Sequence, residues 1–284
     1  MEERVMDKQL SYTGKLLQFE KHLIAEEKST ATTEKYLRDI RCFISYLGDR
    51  ELCKEETIAY KEHLTERFAP ASVNSMLVAL NCFLKFCGLQ SCCVKLLKIQ
   101  RQIFSNPEKE LSRQEYQRLV KAAEGTRLSL VIQTICGTGI RVGELEYITV
   151  AAVQDGKAVV NCKGKTRVIF IPAPIQKLLK AYIKKTGLEA GPVFVTKSGK
   201  PLNRSNIWRD MQALCKRAGV SAKKVYPHNL RHLFARTFYS IEKDIVRLAD
   251  LLGHSSINTT RIYTMETGNQ HMARLERVQK ILTT

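Results

Sequence analysis

The sequence predicts a mainly α-helical protein with one small β-hairpin, arranged as an all-α N-terminal domain followed by an α+β domain. In residues 1–98, apolar side chains recur at helical spacing and no stretch alternates as a strand would. Further on, two β-rich runs at 157–162 and 167–171 flank a short polar turn that contains glycine, which indicates a hairpin. A chain of 284 residues is also long enough for two domains with separate cores.

The helices of the N-terminal domain follow from apolar stripes separated by helix-ending residues. Four are predicted, near residues 10–27, 33–47, 55–67 and 72–88, with glycines ending the second and the fourth. Residues 99–110 lose this periodicity and contain a proline, so they are predicted to be an interdomain linker. The predicted domains are therefore 1–98 and 111–284.

The second domain opens with a helix-start signal. Ser112 and Glu115 have the spacing of a capping box, in which each side chain accepts a hydrogen bond from the other residue's backbone N–H. A largely buried helix at 128–136 precedes the hairpin. Further helices are predicted near 175–186, 203–218, 228–239, 244–252, 256–263 and 270–282.

The charge of the chain is concentrated in its C-terminal part. The formal net charge is +18. Residues 1–105 hold 16 basic and 14 acidic side chains, whereas residues 106–284 hold 30 and 14. Such an excess favours a polyanionic partner, of which nucleic acid is the commonest, although a merely basic surface would give the same count.

Composition excludes several other classes of protein. No apolar run is long enough to span a membrane, and residues 1–8 mix both charge signs, which argues against a secretory signal. Nine cysteines form no CxxC pair and no zinc-like spacing with histidine. They are expected to be small buried side chains in the reducing cytoplasm.

Four short stretches of residues 106–284 combine polar side chains in uncommon local patterns. Each alone is more often structural than functional. The first is Arg141, which follows a glycine turn, with Glu144 three positions later, and the second is Lys163 at the hairpin tip. The third is the His-x-x-Arg pair His228 and Arg231, which share one helical face. The fourth is a Leu-Gly-His run that ends at His254, nine residues before Tyr263.

In this order and spacing, the stretches closely resemble the catalytic domain of the tyrosine recombinase (phage integrase) family. The resemblance covers about residues 106–284, and the N-terminal helices are similar, more loosely, to the family's core-binding domain. One departure is Asn229, where most relatives carry aspartate. A second lysine, Lys165, lies two residues after Lys163 and is the alternative hairpin lysine; alignment from the glycine of the turn favours Lys163.

The resemblance assigns a role to each residue, and the chemistry of the side chains agrees with it. Guanidinium groups of Arg141 and Arg231 suit the oxygens of a phosphodiester under attack, because they bind bidentately and stay charged. Tyr263 would be the nucleophile; its free pKa is about 10, so it needs a proton acceptor such as His228. The remaining assignments are Lys163 as the acid that protonates the leaving 5′-oxygen, His254 as a neutral hydrogen-bond donor to the phosphate, and Glu144 as a residue that orients the lysine hairpin.

The constellation has no acidic pair or triad to hold Mg²⁺, so no metal and no cofactor are expected. The resemblance implies a site-specific recombinase, Xer-like or encoded by a mobile element. It would cut and rejoin double-stranded DNA through a covalent 3′-phosphotyrosyl intermediate, with four subunits acting on two duplexes.

The resemblance also implies contacts outside the catalytic residues. The tail helix carries an apolar stripe that suits exchange onto a neighbouring subunit, the alternative being a helix folded back on its own core. Further DNA contacts are expected from polar residues on otherwise apolar helices and on the hairpin, although a solvated surface explains them equally well: Arg38, Arg41, Asn74, Lys85 and Lys165.

Two other functions share part of this pattern. A type IB topoisomerase uses a similar arginine, lysine and tyrosine but lacks a Leu-Gly-His motif of this form. A DNA-binding regulator could keep the fold without the activity; here all six catalytic positions hold the expected residue types, which argues against it.

Overall fold

A computed structural model describes residues 2–99, 108–162, 165–196, 198–265 and 268–283. The chain forms two compact units, Met1–Arg101 and Gln102–Thr284. The division falls inside the predicted linker 99–110, of which residues 100–107 lie outside the described part. The predicted class, mainly helical with one small hairpin, is confirmed.

The first unit is a helical bundle, and its described residues contain no strand. Its helices are α1 (Glu2–Ala25), α2 (Thr30–Leu47), α3 (Lys54–Arg67) and α4 (Pro70–Phe86). Their apolar stripes meet in one core, which includes Phe19, Ile40, Phe43, Leu77 and Phe83. After a single 3₁₀ turn at Gln90–Cys92, the chain runs without regular structure.

Two asparagines on α4 hold this last segment. The amide of Asn81 donates to Val94 O and accepts from Val94 N, and the amide of Asn74 does the same with Leu97. Because these amides satisfy the backbone N–H and C=O of Val94 and Leu97, residues 93–99 lie along the bundle without a helix or strand of their own.

The second unit is built from nine helices among its described residues and one hairpin. The helices are α5 (Arg113–Ala122), α6 (Arg127–Thr138), α7 (Val150–Asp155), α8 (Ala173–Thr186), α9 (Arg204–Ala218), α10 (Pro227–Glu242), α11 (Ile245–Leu252), α12 (Ile257–Thr260) and α13 (Gly268–Leu282). The predicted capping box is confirmed, because Ser112 Oγ accepts from Glu115 N and the Glu115 carboxylate accepts from Ser112 N. None of the described helices is both long enough and apolar enough to cross a membrane.

The hairpin pairs β1 (Lys157–Cys162) with β2 (Lys165–Phe170) in antiparallel register. The second strand begins two residues earlier than predicted, so only residues 163 and 164 connect the strands, and these lie outside the described residues. Alternate side chains of the strands enter the core: Ala158, Val160 and Ile169 are buried. Arg167, which pairs with Val160, has the same parity as Ile169.

Helix α10 binds residues 109–111, at the beginning of this unit. Asn229 Nδ2 donates to Lys109 O at 2.9 Å and to Lys224 O at 2.7 Å. Seven residues along the same helix, Arg236 binds the Glu110 carboxylate and donates to Leu111 O at 2.7 Å. Two side chains on one face of α10 therefore fix residues 109–111.

Candidate active site

The site begins where α6 ends. Gly139 closes α6 with φ +65°, and a Cβ there would lie 2.5 Å from the Phe234 ring, so only glycine fits this position. Two residues later Arg141 starts a 3₁₀ turn, Val142–Tyr147. The tight turn points the Arg141 side chain toward α11.

Glu144 sits at the base of that turn and is almost fully buried. Its carboxylate accepts from Arg141 N and from Arg141 Nη1, both at 2.9 Å, and from Arg167 Nη2 on β2. Burial alone would raise the pKa of Glu144, but the hydrogen bonds from Arg141 and the charges of both arginines hold it below its usual range. The carboxylate is thus ionised and joins the turn to the hairpin.

Arg231, on α10, is the most deeply buried cation of the site, with 2% of its surface exposed. It donates to Gly139 O, to Leu252 O at 2.7 Å and to His254 Nε2 at 3.2 Å. Burial, followed by the charges of Arg141 and Arg167, lowers the pKa of Arg231 to about 10, so the group remains protonated at neutral pH.

Arg141, Arg167 and Arg231, hereafter the arginine cluster, meet at the C-terminal end of α11. Three consecutive carbonyls there each accept from a different arginine: Leu251 O from Arg167 at 3.1 Å, Leu252 O from Arg231, and Gly253 O from Arg141 at 3.3 Å. The negative end of a helix dipole favours cations at this place. Since Glu144 is the single carboxylate hydrogen-bonded to the cluster among the described residues, positive charge is in excess.

His254 follows directly on these carbonyls. A guanidinium N–H can only donate, so Nε2 of His254 accepts from Arg231, and Nδ1 carries the proton, which it donates to Thr260 Oγ1 at 2.9 Å. Burial and then the charges of Arg231 and Arg141 lower the pKa of His254 to about 4. His254 is therefore neutral at pH 7.

Tyr263 ends a one-turn 3₁₀ helix, Arg261–Tyr263, and its side chain is 3% exposed. Its ring stacks on His254 with centroids 5.9 Å apart and meets the edge of His232 at 4.6 Å. Burial raises the pKa of Tyr263, while the charge of Arg231 and a hydrogen bond from it offset part of the rise. The phenol is neutral at rest and faces the arginine cluster.

His228 and His232 lie one helical turn apart on α10, with ring centroids 4.5 Å apart. Burial and the charges of Arg231 and Arg141 lower the pKa of His228, and burial and the charge of His228 lower that of His232 to about 3. Both rings are neutral at pH 7, and a neutral imidazole can accept a proton.

A cleft of about 810 Å³ is lined by four of the site residues, Arg141, Glu144, His228 and Arg231. Sequence reasoning missed two of its lining residues, Arg204 and Trp208 on α9. The sequence signal for these two residues was Trp208, which is the only tryptophan of the chain and lies on a mainly polar helix. Its side chain is 50% exposed. The same reasoning missed Arg167, His232 and Thr260, whose contacts arise only from the fold.

Five of the six predicted catalytic residues, together with Glu144, are described. Arg231 binds His254 and Tyr263, and Arg141 binds Gly253 O next to His254. His228 contacts His232, whose ring meets Tyr263. Lys163 lies outside the described residues, and Lys165 is described only as the first residue of β2. In the first unit Arg38, Arg41 and Lys85 are exposed, whereas Asn74 binds the backbone of Leu97. Within the described part of the chain, no three His, Cys, Asp or Glu side chains lie together as a metal-binding group.

The chain matches known proteins in sequence. A model of the phage integrase family matches residues 109–270. Tyrosine recombinase XerA of Thermococcus kodakarensis is 28% identical over 277 residues, which cover 93% of this chain and 95% of the relative. Tyrosine recombinase XerH of Campylobacter jejuni is 36% identical over 171 residues, which cover 54% and 47%.

Solved structures share the fold. A crystal structure of XerA recombinase matches with 27% identity and a TM-score of 0.52, covering 94% of this chain and 99% of that one. A lambda integrase dimer bound to a COC′ core site matches with 21% identity and a TM-score of 0.73, covering 90% and 96%. The family match spans more than half of the sequence and contains the whole arginine cluster, His254 and Tyr263. The chain belongs to the phage integrase family and is a tyrosine recombinase of the Xer and integrase type.

Proposed function

We propose that the protein recombines duplex DNA site-specifically, with Tyr263 as the nucleophile that forms a 3′-phosphotyrosyl bond. The observation that carries the proposal is a buried tyrosine that receives a hydrogen bond from Arg231, within an arginine cluster whose one hydrogen-bonded carboxylate among the described residues, Glu144, pairs with Arg141 and Arg167. A scissile phosphate brings the negative charge that this arrangement lacks, and attack on phosphorus adds more to its non-bridging oxygens.

The step balances without an external reactant. Tyr263 Oη loses its proton to His228 and bonds to phosphorus, while the bond from phosphorus to the 5′-oxygen breaks. Lys163 gives its proton to that oxygen, which leaves as a hydroxyl. The phosphodiester energy stays in the tyrosyl bond, so the 5′-hydroxyl of another strand reverses the step and completes strand exchange.

Arg141 and Arg231 bind the non-bridging oxygens in this proposal. When Arg231 turns to the phosphate, it releases His254 Nε2. His254 can then give its Nδ1 proton to water and take one from water at Nε2, while the Thr260 hydroxyl turns and donates to Nδ1. This proton exchange converts His254 from an acceptor of Arg231 into a donor to the substrate.

Two duplexes require four active sites, and α13 supplies the surface for assembly in this proposal. Among its described side chains, the apolar ones are all more than half exposed: Met272, Leu275, Val278, Ile281 and Leu282. We propose that this stripe docks on a neighbouring subunit of a tetramer on DNA. Replacing Leu275 and Val278 by Asp should abolish recombination of two duplexes and leave covalent attachment to one site intact, with Arg277→Asp as the charge control.

The smaller unit would complete the grip on DNA through Arg38, Arg41 and Lys85, with Asn74 and the hairpin's Lys165 as further candidates. Each phosphate contact should add about −0.9 to the slope of log affinity against log salt. Arg38→Ala should therefore reduce that slope by about one and leave cleavage at saturating DNA unchanged. An unchanged slope would remove Arg38 from the contact set.

The proposed function is tested with a nicked suicide substrate, whose small 5′ fragment diffuses away and traps the covalent adduct. The wild-type protein should form an adduct that resists denaturant, in excess EDTA as well as in Mg²⁺. Absence of the adduct, or its dependence on Mg²⁺, would overturn the mechanism. Relaxation of a supercoiled plasmid without a recombination site would instead indicate a topoisomerase.

A further inference from the structure

The hairpin is anchored to the site by one side chain of β2. Arg167 is 13% exposed and donates through Nη2 to the Glu144 carboxylate and through Nη1 to Leu251 O. It lies four residues from Lys163 along the chain, on the inward face of the strand. The single side chain therefore connects the hairpin, the turn that carries Arg141, and the end of α11 that leads to His254.

We propose that Arg167 is a positioning residue that holds the hairpin in the register at which Lys163 reaches the leaving 5′-oxygen. This inference rests on the proposed function. Arg141 and Arg231 line the cleft, whereas Arg167 is not among the residues that line it and binds Glu144 and Leu251 O instead.

The shape of the guanidinium makes Arg167 suited to this task. Two acceptors that belong to different elements are bridged by one rigid planar fork. A lysine ammonium, a point charge on a flexible stem, cannot keep both at the same spacing. A two-stranded hairpin is marginally stable by itself, so its tip is only as well placed as its attachment to the core.

A neighbouring glycine supports the assignment independently. Gly253 has φ +62°, and a Cβ on it would lie 2.4 Å from Cδ of Arg167. The backbone between Leu252 and His254 thus leaves open the space through which the Arg167 side chain passes. The Leu-Gly-His run, read from sequence as part of the catalytic motif, also contains the room for the hairpin anchor.

The effect on chemistry should concern the leaving group. When Arg167 is shortened, Glu144 keeps its bonds from Arg141, so the ligands of the non-bridging oxygens stay in place. The hairpin loses its connection to α11 and the proton donor is less often within reach. A substrate whose leaving group needs no proton should therefore hide the defect.

The test compares Arg167→Gln and Arg167→Lys with a matched control, Arg236→Gln. Arg236 is also partly buried and also binds one glutamate and one backbone carbonyl, but it anchors residues 110 and 111 instead of the hairpin. The readout is single-turnover adduct formation on a suicide substrate with either oxygen or sulfur at the scissile 5′ position, together with the melting temperature. Sulfur leaves as a thiolate without a general acid.

We expect Arg167→Gln to slow adduct formation about 10²-fold with oxygen and less than tenfold with sulfur, the range that follows from loss of general-acid catalysis. Arg167→Lys should fall between this variant and the wild type. Arg236→Gln should lower the melting temperature at least as much and change both rates less than threefold.

Three results would overturn the inference: equal losses on the two substrates, no loss on either, or the same pattern in Arg236→Gln. If Arg167→Gln does not fold, the same criterion applies to Arg167→Lys. Failure of the proposed function looks different, since wild-type protein would then give no adduct on either substrate. If Lys163→Ala shows no sulfur rescue while Arg167→Gln does, the anchored acid is not Lys163 and the inference is wrong in that respect.

Discussion

Each compact unit buries a tyrosine among aromatic rings, and the two tyrosines differ in their charged neighbours. Tyr60 is 2% exposed and packs on Phe43 and Tyr46, with ring centroids 5.0 and 4.9 Å away. Burial, with anionic or neutral neighbours, raises its pKa strongly. Tyr263 is equally buried, but Arg231 and Arg141 offset part of the rise.

The two units can also be compared through one arginine in each. Arg50 binds Glu56 and the carbonyls of Leu47 and Tyr46 at the end of α2, as Arg231 binds carbonyls at the ends of α6 and α11. Arg50, however, has a carboxylate partner and Arg231 has only neutral acceptors among its described hydrogen bonds. Arg50 is also exposed, with 46% of its side chain accessible, whereas Arg231 is buried. The two arginines therefore differ in burial as well as in charge balance.

The largest contrast is expected between the two tyrosines. Tyr263→Phe should form no covalent adduct and bind DNA nearly as well as wild type, because the phenol oxygen serves attack and not affinity. Tyr60→Phe, which removes the same atom from the other unit, should form adduct at the wild-type rate. Denaturing gels of the trapped complex measure both; an adduct in Tyr263→Phe would remove Tyr263 as the nucleophile.

The next largest difference is expected between substitutions of Arg231 and Arg50. Arg231→Lys keeps the charge but loses the planar fork, and we expect adduct formation to fall about 10²–10³-fold, as when one oxyanion ligand is lost. Arg50→Lys should lower the melting temperature and leave the rate at saturating DNA within twofold. Equal rates for the two variants would mean that the fork of Arg231 is structural.

A smaller effect is expected from the hydroxyl behind His254. Thr260 is fully buried and binds Nδ1, so Thr260→Val leaves that nitrogen without a partner and should slow adduct formation about tenfold, or ~1.4 kcal/mol. In the other unit Thr33 Oγ1 is buried without a hydrogen-bond partner among the described residues. Thr33→Val should therefore leave the rate unchanged and not destabilise the fold.

The smallest expected effect is on pH dependence. The base form of His228 is the neutral one, and its lowered pKa leaves a larger neutral fraction at pH 6 than an ordinary histidine keeps. At subsaturating DNA, where the rate reports the free enzyme, adduct formation should therefore fall less between pH 7 and pH 6 than the fall of about threefold expected for a histidine with a pKa of about 6.5. A full threefold fall would mean that burial and the cations do not act on His228.

The sequence predicted the fold class and the residues that begin, end and pack the helices, because these depend on local patterns. The apolar stripes of α2 and α4, the capping box at Ser112 and the glycine at the end of α6 all act within a few residues. The residues Arg141, Arg231, His254 and Tyr263 were recognisable because their order and spacing resemble those of the tyrosine recombinase family. Their convergence on the end of α11 follows from the packing of α10 and α11, which no local pattern specifies.

The residues that were missed make contacts that arise only when the chain folds. Thr260 looks like any threonine in a short helix until His254 folds over it. Arg167 did give a signal, since it has the parity of Ile169 on a strand whose inward face is otherwise apolar. A cation at an inward strand position needs a buried acceptor, and Glu144 supplies it.

The neutral Asn229 is the clearest case in which structure changes the interpretation of a substitution. Its departure from the family's aspartate could suggest a weakened local network. The structure instead gives it two carbonyl acceptors, Lys109 O and Lys224 O, which a carboxylate could not bind. In this chain the amide is the side chain that the surroundings require.

The Asn229 amide and Arg236 affect how the first unit of such a chain could be exchanged for another. They fasten residues 109–111 to the helix that carries His228 and Arg231, so the catalytic unit defines its own starting point. A spacer of different length or a different helical unit could be joined ahead of residue 109 without altering the register of α10. Under the proposed function, DNA recognition by the preceding unit and chemistry in the pocket could then diverge separately, one by exchange of that unit and the other by substitution within the pocket.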